Sequence, residues 1–225
     1  MRPPIEFLFP PELASDMIYS FVIIVCSLMI YIATKEIYEL SSYKGLKYFR
    51  QAFLFFAIAY FFRYFIMFVL TFFNLNLWIS PGVVFSLSML VFLYSSSMAV
   101  FSLIYSVMWK KWNHSKFKNY IFNILAIAIA VIGITFRGIG VSLLLNVIFL
   151  ASVSFVLFIA YRDLKGKKTG KNLLGIYSLL FIFFFLNVID VLIPKFLQPF
   201  NLIISLISIL LFMTILYRVL KKIGN

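Results

Sequence analysis

Two charged residues, Arg63 and Asp190, are the strongest candidates for chemistry because each interrupts a long apolar stretch of the sequence. An ionised side chain inside a bilayer costs at least about 2.5–3.5 kcal/mol, so it usually faces the interior of a helix bundle and has a partner there. Arg63 and Asp190 are therefore predicted to form the paired charges of an outward-facing binding site. Two alternatives stay open: an ion pair that only locks two helices together, and two separate side chains that each extend to the outer membrane boundary.

Further polar residues are expected at a similar depth in the apolar stretches. Tyr60 precedes Arg63 by three residues and Asn187 precedes Asp190 by three, and residues at this spacing share one face of a helix. Any of these groups can instead simply hydrogen-bond to a neighbouring helix, which is worth about 0.6 kcal/mol in a bilayer. The predicted ligand-binding set is completed by residues of three other stretches, namely Tyr19, Asn146, Asn201 and Ser205.

The residue types in this chain argue against the commoner kinds of active site. There is one histidine, His114, and one cysteine, Cys26, so a haem, a thiolate metal site or a histidine cluster is not expected. No nucleophile elbow, phosphate-binding glycine loop or zinc-protease motif occurs. An intramembrane aspartyl or metal-dependent enzyme would need two buried carboxylates, and Asp190 alone is expected to be buried. We therefore predict a protein that is not an enzyme and holds no metal or cofactor.

The elements that carry these residues are predicted to be membrane-spanning helices. The 225 residues are 64% hydrophobic and 12% charged, whereas soluble domains are about 45–50% apolar and about 25% charged. About 20 consecutive apolar residues span a bilayer as a helix, and clusters of charge divide this chain into seven such stretches. The predicted fold class is all-α, a polytopic integral membrane protein with one domain of residues 1–225 and helices at 17–38, 52–74, 83–109, 120–136, 141–161, 173–193 and 202–220.

The sequence also predicts how these helices behave. Prolines fall in predicted tails, loops or first turns, so the helices should be continuous rods. The aromatic runs at 53–56 and 181–185 are expected to face lipid. A short turn at 137–140 should make the fourth and fifth helices antiparallel neighbours. The N-terminal segment lacks the continuous apolar core of a cleavable signal peptide and should be retained, with residues 5–9 as an interfacial flap or a frayed tail.

Basic residues predict the orientation of the chain in the membrane. Sixteen of the 20 lysines and arginines fall on one side of the predicted helices, and basic loops stay in the cytoplasm. The N-terminus should therefore lie outside and the C-terminus inside. A basic rim attracts anionic lipid headgroups by about 1 kcal/mol per residue. Anionic lipids are the first predicted partner of this rim, an acidic protein surface is the alternative, and no nucleic acid is expected.

A possible internal repeat relates the two ends of the chain. An offset of 127 residues places residues 157–164 on residues 30–37, with a basic-acidic pair at the same position, and places Asp190 on Arg63. This indicates parallel repeats at 17–111 and 139–222 joined by a fourth helix at 119–136. The axis relating them would run along the membrane normal, as in other parallel-repeat membrane proteins.

Seven helices in a three-plus-one-plus-three plan resemble the topology of microbial rhodopsins, seven-helix receptors and SWEET-type sugar carriers. A rhodopsin needs a retinal-binding lysine in its seventh helix, and residues 202–217 contain none. The carriers have prolines within their repeat helices, which this chain lacks. The sequence favours a sensor, receptor-like or complex-forming subunit with a protein partner at the cytoplasmic loops or within the membrane. The alternatives are a small-solute transporter or channel that uses the same polar cluster, and a purely structural subunit.

Overall fold

The computed structural model describes residues 11–65, 81–109, 118–136, 138–164, 170–192 and 198–223. Within these ranges the backbone forms helices and short turns and contains no strand. The predicted N-terminal flap, the last part of the predicted second helix (66–74) and Arg137 lie outside them. The helices are α1 (Pro11–Ser41), α2 (Lys44–Tyr60, continued by a π-helical turn at Phe61–Phe65), α3 (Pro81–Met108), α4 (Lys118–Thr135), α5 (Ile139–Leu164), α6 (Gly170–Leu192) and α7 (Gln198–Ile223).

Five of these helices are long and apolar enough to cross a membrane, which confirms an all-helical protein with several candidate membrane spans. Helix α4 is apolar but shorter, and α2 begins at Lys44, well before the predicted start at residue 52. Lys44 and Lys47 lie within α2 and are exposed, so the helix can begin in a basic segment without burying these charges. The five candidate spans are Asp16–Ser41, Gly82–Met108, Gly140–Asp163, Leu174–Leu192 and Leu202–Lys221.

Large apolar side chains cover the outside of the bundle. Soluble monomers rarely expose contiguous apolar patches of more than a few hundred Å², whereas lipid tails cover such a surface without cost. Every described helix that is a candidate span contributes to this surface, and α4 contributes along most of its length. The exposed residues of α4 include Tyr120, Ile121, Ile124, Leu125, Ile127, Val131 and Ile132.

Helix α4 packs chiefly on α3 and makes only slight contact with α5. The turn between α4 and α5 is short, as predicted, but small residues of α4 determine its main neighbour. Ala126 and Ala130 are fully buried, and a Cβ atom at Gly133 would collide with the Leu93 side chain of α3. Small residues let helices approach closely in a membrane, so this face of α4 fits against α3.

The bundle interior is built largely from aromatic rings of α2, α6 and α7. The prediction that the aromatic runs face lipid is wrong for Phe53, Phe56, Phe183 and Phe184, all of which are buried. The Phe183 and Phe212 rings meet edge to face with centroids 4.8 Å apart, a favourable geometry for aromatic pairs. Large rings fill the space between α2 and the pair α6 and α7, whose backbones are not closely packed against α2, so burial here comes from side-chain size.

Helices α2 and α3 approach each other closely at Gly45. A Cβ atom at this position would lie 2.7 Å from the backbone oxygen of Ser106 and 3.0 Å from the Trp109 ring. Gly45→Ala is therefore expected to lower the thermal unfolding midpoint in detergent, at a cost of about 1–3 kcal/mol for overpacking.

Gly140→Ala is the matched control for Gly45→Ala. Gly140 lies in the first turn of α5 with no atom within 4 Å of its would-be Cβ. Alanine in a helix is favoured over glycine by about 0.5–1 kcal/mol, so this variant should melt at or slightly above the parent temperature. Equal midpoints for the two variants would contradict the close approach at Gly45.

Candidate functional site

A cavity of about 350 Å³ lies between α2, α3, α5 and α6, at the end of the bundle where α2 and α6 finish. Its volume falls at the lower end of the range of about 300–1,000 Å³ for small-molecule sites. We call it the charged cavity. Five of the eight predicted ligand-binding residues line it: Tyr60, Arg63, Asn146, Asn187 and Asp190.

Arg63 reaches this cavity from a π-helical turn, Phe61–Phe65, that continues α2 and packs against α1 and α3. Such turns insert an extra residue into a helix and occur frequently at functional sites. The second helix continues through this turn, but its hydrogen-bonding pattern changes locally, which the prediction of continuous rods did not include. The guanidinium carbon of Arg63 lies 5.1 Å from the centroid of the Phe92 ring, a distance typical of a cation–π contact.

Asp190 lines the same cavity from the last turn of α6. Both charged side chains are half-buried, and the positive charge of Arg63 acts electrostatically on the Asp190 carboxylate. The structure thus places opposite charges around one cavity and does not send them to opposite flanks of the bundle. This arrangement arises because the turn at Phe61–Phe65, which continues α2, and the last turn of α6 lie at the same side of the molecule.

Tyr60 links the cavity wall to helix α1. Its hydroxyl oxygen lies 3.2 Å from the hydroxyl oxygen of Tyr19, and the two rings meet edge to face with centroids 5.6 Å apart. Both side chains are buried. Tyr19 is not among the residues that line the cavity, so its contribution is to hold the hydroxyl of Tyr60 in position.

Two amides line the cavity on the side of α5 and α6. The Nδ2 atom of Asn146 donates to the carbonyl oxygen of Ser142 at 2.9 Å, and that of Asn187 donates to Phe183 at 3.0 Å. Each bond fixes its side chain against its own helix. An asparagine amide also has an acceptor oxygen and a second N–H, and the Asn187 amide additionally hydrogen-bonds with the Tyr60 hydroxyl.

Two predicted site residues of α7, Ser205 and Asn201, are not among the described residues that line this cavity. Ser205 is half-buried on α7 and does not line it. Asn201 lies within α7, but its side chain is outside the described part of the structure.

Sequence reasoning missed the apolar walls of the charged cavity. Phe56 lies four residues before Tyr60, and Phe183 lies four residues before Asn187, so helical spacing already placed each on the same face as a predicted polar residue. The apolar walls also include Phe92, Phe149, Phe184 and Leu145, and the lining further contains the hydroxyl-bearing Ser96.

A second cavity, of about 430 Å³, opens at the opposite end of the bundle. The Ser106 and Tyr177 hydroxyl oxygens, 2.8 Å apart, join α3 to α6 at its wall. We call it the basic-end cavity because the helix ends around it carry the predicted basic rim. Its lining includes Thr34, Ile37, Tyr43, Gly45, Phe49, Ala160, Asp163, Ile176 and Val219.

An aromatic septum, formed by Phe49, Phe53, Phe56, Phe183 and Phe212, separates the two cavities. Phe53 is fully buried at its centre, with ring centroids 5.0 Å from Phe49 and 6.0 Å from Phe56. Between Phe49 and Phe56 the helix rises about 10 Å at 1.5 Å per residue. The two cavities are thus closed off from each other by about two helical turns of packed rings.

No group of three or more His, Cys, Asp or Glu side chains is arranged to hold a metal ion in the parts of the chain that the structure describes.

The chain is similar to a protein from Archaeoglobus fulgidus that is described as an uncharacterized protein. The two sequences are 30% identical over 225 residues, which covers 98% of this chain and 95% of the relative. No family model and no solved structure matches the chain. The similarity therefore extends over nearly the whole length of both proteins.

Proposed function

The chain belongs to the same family as the Archaeoglobus fulgidus protein, and we propose that it is a non-enzymatic seven-helix membrane protein that binds a small ligand and acts as a sensor or receptor-like subunit. The observation that carries this proposal is the charged cavity, where Arg63 and Asp190 share a space of about 350 Å³ inside an apolar bundle. Ionisable residues within membrane segments are costly and are usually functional. A purely structural ion pair would not require an open cavity around it.

In this proposal all seven helices span the membrane, with the N-terminus outside and the C-terminus in the cytoplasm. The described basic side chains support this orientation because they lie at the helix ends around the basic-end cavity, away from Arg63 and Asp190. The positive-inside rule then puts that end in the cytoplasm and opens the charged cavity to the outside. These side chains are Lys35, Lys44, Lys47, Arg50, Arg162, Arg218 and Lys221.

A sensor must pass its state to another molecule. The basic rim fits anionic lipid headgroups and also the acidic surface of a protein partner. We propose that the partner docks at this rim or against a lipid-facing helix, and that ligand binding between α2 and α6 changes the tilt of helices that reach the rim. Nucleic acid is not part of the proposal.

The internal repeat is also part of the proposal. Three pairs of cavity residues are separated by 127 positions: Phe56 with Phe183, Tyr60 with Asn187, and Arg63 with Asp190. Related positions that converge on one space support a pseudo-two-fold axis through the charged cavity. Parallel-repeat membrane proteins place substrate sites at the interface between repeats.

A small-solute transporter is the second candidate, and the basic-end cavity favours it. Helices α2, α3, α5 and α6 contribute to both cavities, α4 also borders the charged cavity, and α1 and α7 also border the basic-end cavity. The aromatic septum lies between the two cavities. Rearrangement of the septum would connect one cavity to the other. This is the geometry that alternating access requires.

The test of ligand binding uses a defined panel of amino acids, carboxylates, primary amines and sugars with the purified protein in nanodiscs. At least one solute is expected to raise the unfolding temperature of the parent, since a ligand at 100 times its Kd stabilises by about 2.7 kcal/mol. Asp190→Asn should abolish this shift. Glu36→Gln, an exposed carboxylate at the other end of the bundle, should keep it. A panel without any Asp190-dependent shift would contradict the proposal.

Flux distinguishes the two candidate functions. The solute that stabilises the parent is supplied in radiolabelled form to proteoliposomes that contain the purified chain. The sensor proposal expects no uptake above that of empty liposomes. Uptake that Asp190→Asn abolishes and Glu36→Gln preserves would replace the sensor with a transporter.

A further inference from the structure

The charges and walls of the charged cavity select a class of ligand. This inference rests on the proposed ligand-binding function. We propose that the ligand is a zwitterion with an apolar side chain, a free amino acid of medium size, whose carboxylate binds Arg63 and whose ammonium binds Asp190.

The two charges of the cavity balance each other. Arg63 and Asp190 carry opposite charges on one cavity, so the empty site is neutral overall. A simple anion would be attracted to Arg63 but repelled by Asp190. A simple cation would be attracted to Asp190 but repelled by Arg63. A zwitterion satisfies both groups and leaves the site neutral, which matters because an uncompensated charge is expensive away from water.

Arg63 and Asp190 reach the charged cavity from different parts of the bundle. They belong to α2 and α6, whose backbones are not closely packed in the described residues. Because both side chains line the same cavity of about 350 Å³, a ligand there can direct one charged group to each.

The guanidinium carbon of Arg63 lies 5.1 Å from the centroid of the Phe92 ring, and Arg63 lines the cavity. The planar guanidinium group carries N–H donors that match the two oxygens of a carboxylate. The neighbouring Phe92 ring contributes to positioning the group that we assign to the ligand carboxylate.

The rest of the lining selects the uncharged part of the ligand. The lining beyond the charges is mainly apolar and aromatic, with Phe149 and Phe184 among its walls, and the amides of Asn146 and Asn187 beside it. A volume of about 350 Å³ equals about a dozen waters at about 30 Å³ each. That space suits one amino acid with an aliphatic side chain better than a peptide or a nucleotide.

The experiment compares leucine with two analogues that each lack one charge, 4-methylpentanoate and 3-methylbutylamine. Binding to the purified full chain in nanodiscs is measured by calorimetric titration. Leucine is expected to bind at least tenfold more tightly than either analogue, because a site with a dedicated polar partner rejects a ligand that leaves that partner unsatisfied. This comparison needs only the parent protein and does not depend on the folding of any variant.

Two variants assign the contacts. Asp190→Asn should remove the preference for leucine over 4-methylpentanoate, and Arg63→Gln should remove the preference over 3-methylbutylamine. Glu36→Gln and Arg162→Gln, which alter exposed charges elsewhere, should keep both preferences.

An analogue that binds the parent as tightly as leucine would overturn the zwitterion assignment, as would Asp190-dependent binding of a sugar without binding of leucine. In both cases the charged cavity would still be a ligand site. If no solute of the wider panel binds, the zwitterion assignment and the proposed function fail together.

Discussion

Phe53→Ala is expected to lower the free energy of unfolding by about 3 kcal/mol, the lower end of the range of about 3–5 kcal/mol for truncating a phenylalanine in a protein core. Phe53 is fully buried at the centre of the aromatic septum. The cost comes from lost contacts with the surrounding rings, since lipid tails are as apolar as the protein interior and add little driving force. Denaturant titration of the purified protein in mixed micelles measures the change.

Phe158→Ala is the matched control for Phe53→Ala. Phe158 lies on α5 with 64% of its surface exposed, so its truncation should change stability by no more than about 0.5 kcal/mol. Equal destabilisation by the two variants would mean that Phe53 is not at the centre of the packed bundle.

Removal of either Arg63 or Asp190 alone is expected to destabilise the protein by about 2 kcal/mol. Breaking a fully buried ion pair costs about 3–5 kcal/mol because the other charge is left uncompensated. Both side chains here are half-buried, which reduces the effect. The charge exchange Arg63→Asp with Asp190→Arg should restore part of the loss, measured by the same denaturant titration.

The exposed pair Lys35 and Glu39 is the control for this prediction. Their charged atoms lie 3.8 Å apart, and each side chain is 61% exposed. Lys35→Ala should cost no more than about 0.5 kcal/mol, as is usual for an exposed pair on a helix. Parent-like unfolding of both Arg63→Ala and Asp190→Ala would show that the two charges do not interact.

The sequence predicts the positions of the helices well because the signal that marks them is the order of apolar and charged residues along the chain. Clusters of lysine and arginine interrupt apolar runs, and five of the described helices, α3 to α7, begin within four residues of the predicted positions, whereas α1 and α2 begin earlier. Helical spacing also predicts that Tyr60 shares a face with Arg63 and that Asn187 shares a face with Asp190. All four of these residues line the charged cavity.

Other features depend on contacts that composition does not encode. Phenylalanine is equally compatible with lipid and with a membrane protein's interior, so hydropathy cannot separate buried Phe53 from exposed Phe158. The π-helical turn at Phe61–Phe65 contains neither proline nor glycine and has no local signal. Helix α2 begins among basic residues, before its apolar part, and hydropathy marks only the apolar part of a helix.

Cysteine accessibility tests most directly the claim that the charged cavity is hydrated and open to the outside. In a Cys26→Ala background, Ser96→Cys places a thiol at the cavity wall, whereas Ser97→Cys places one at a fully buried position beside it. A membrane-impermeant thiol reagent is applied to intact cells that express each variant. The account predicts rapid labelling at position 96 and none at position 97. Failure to label position 96 from outside, or labelling there only from the cytoplasmic side, would contradict it.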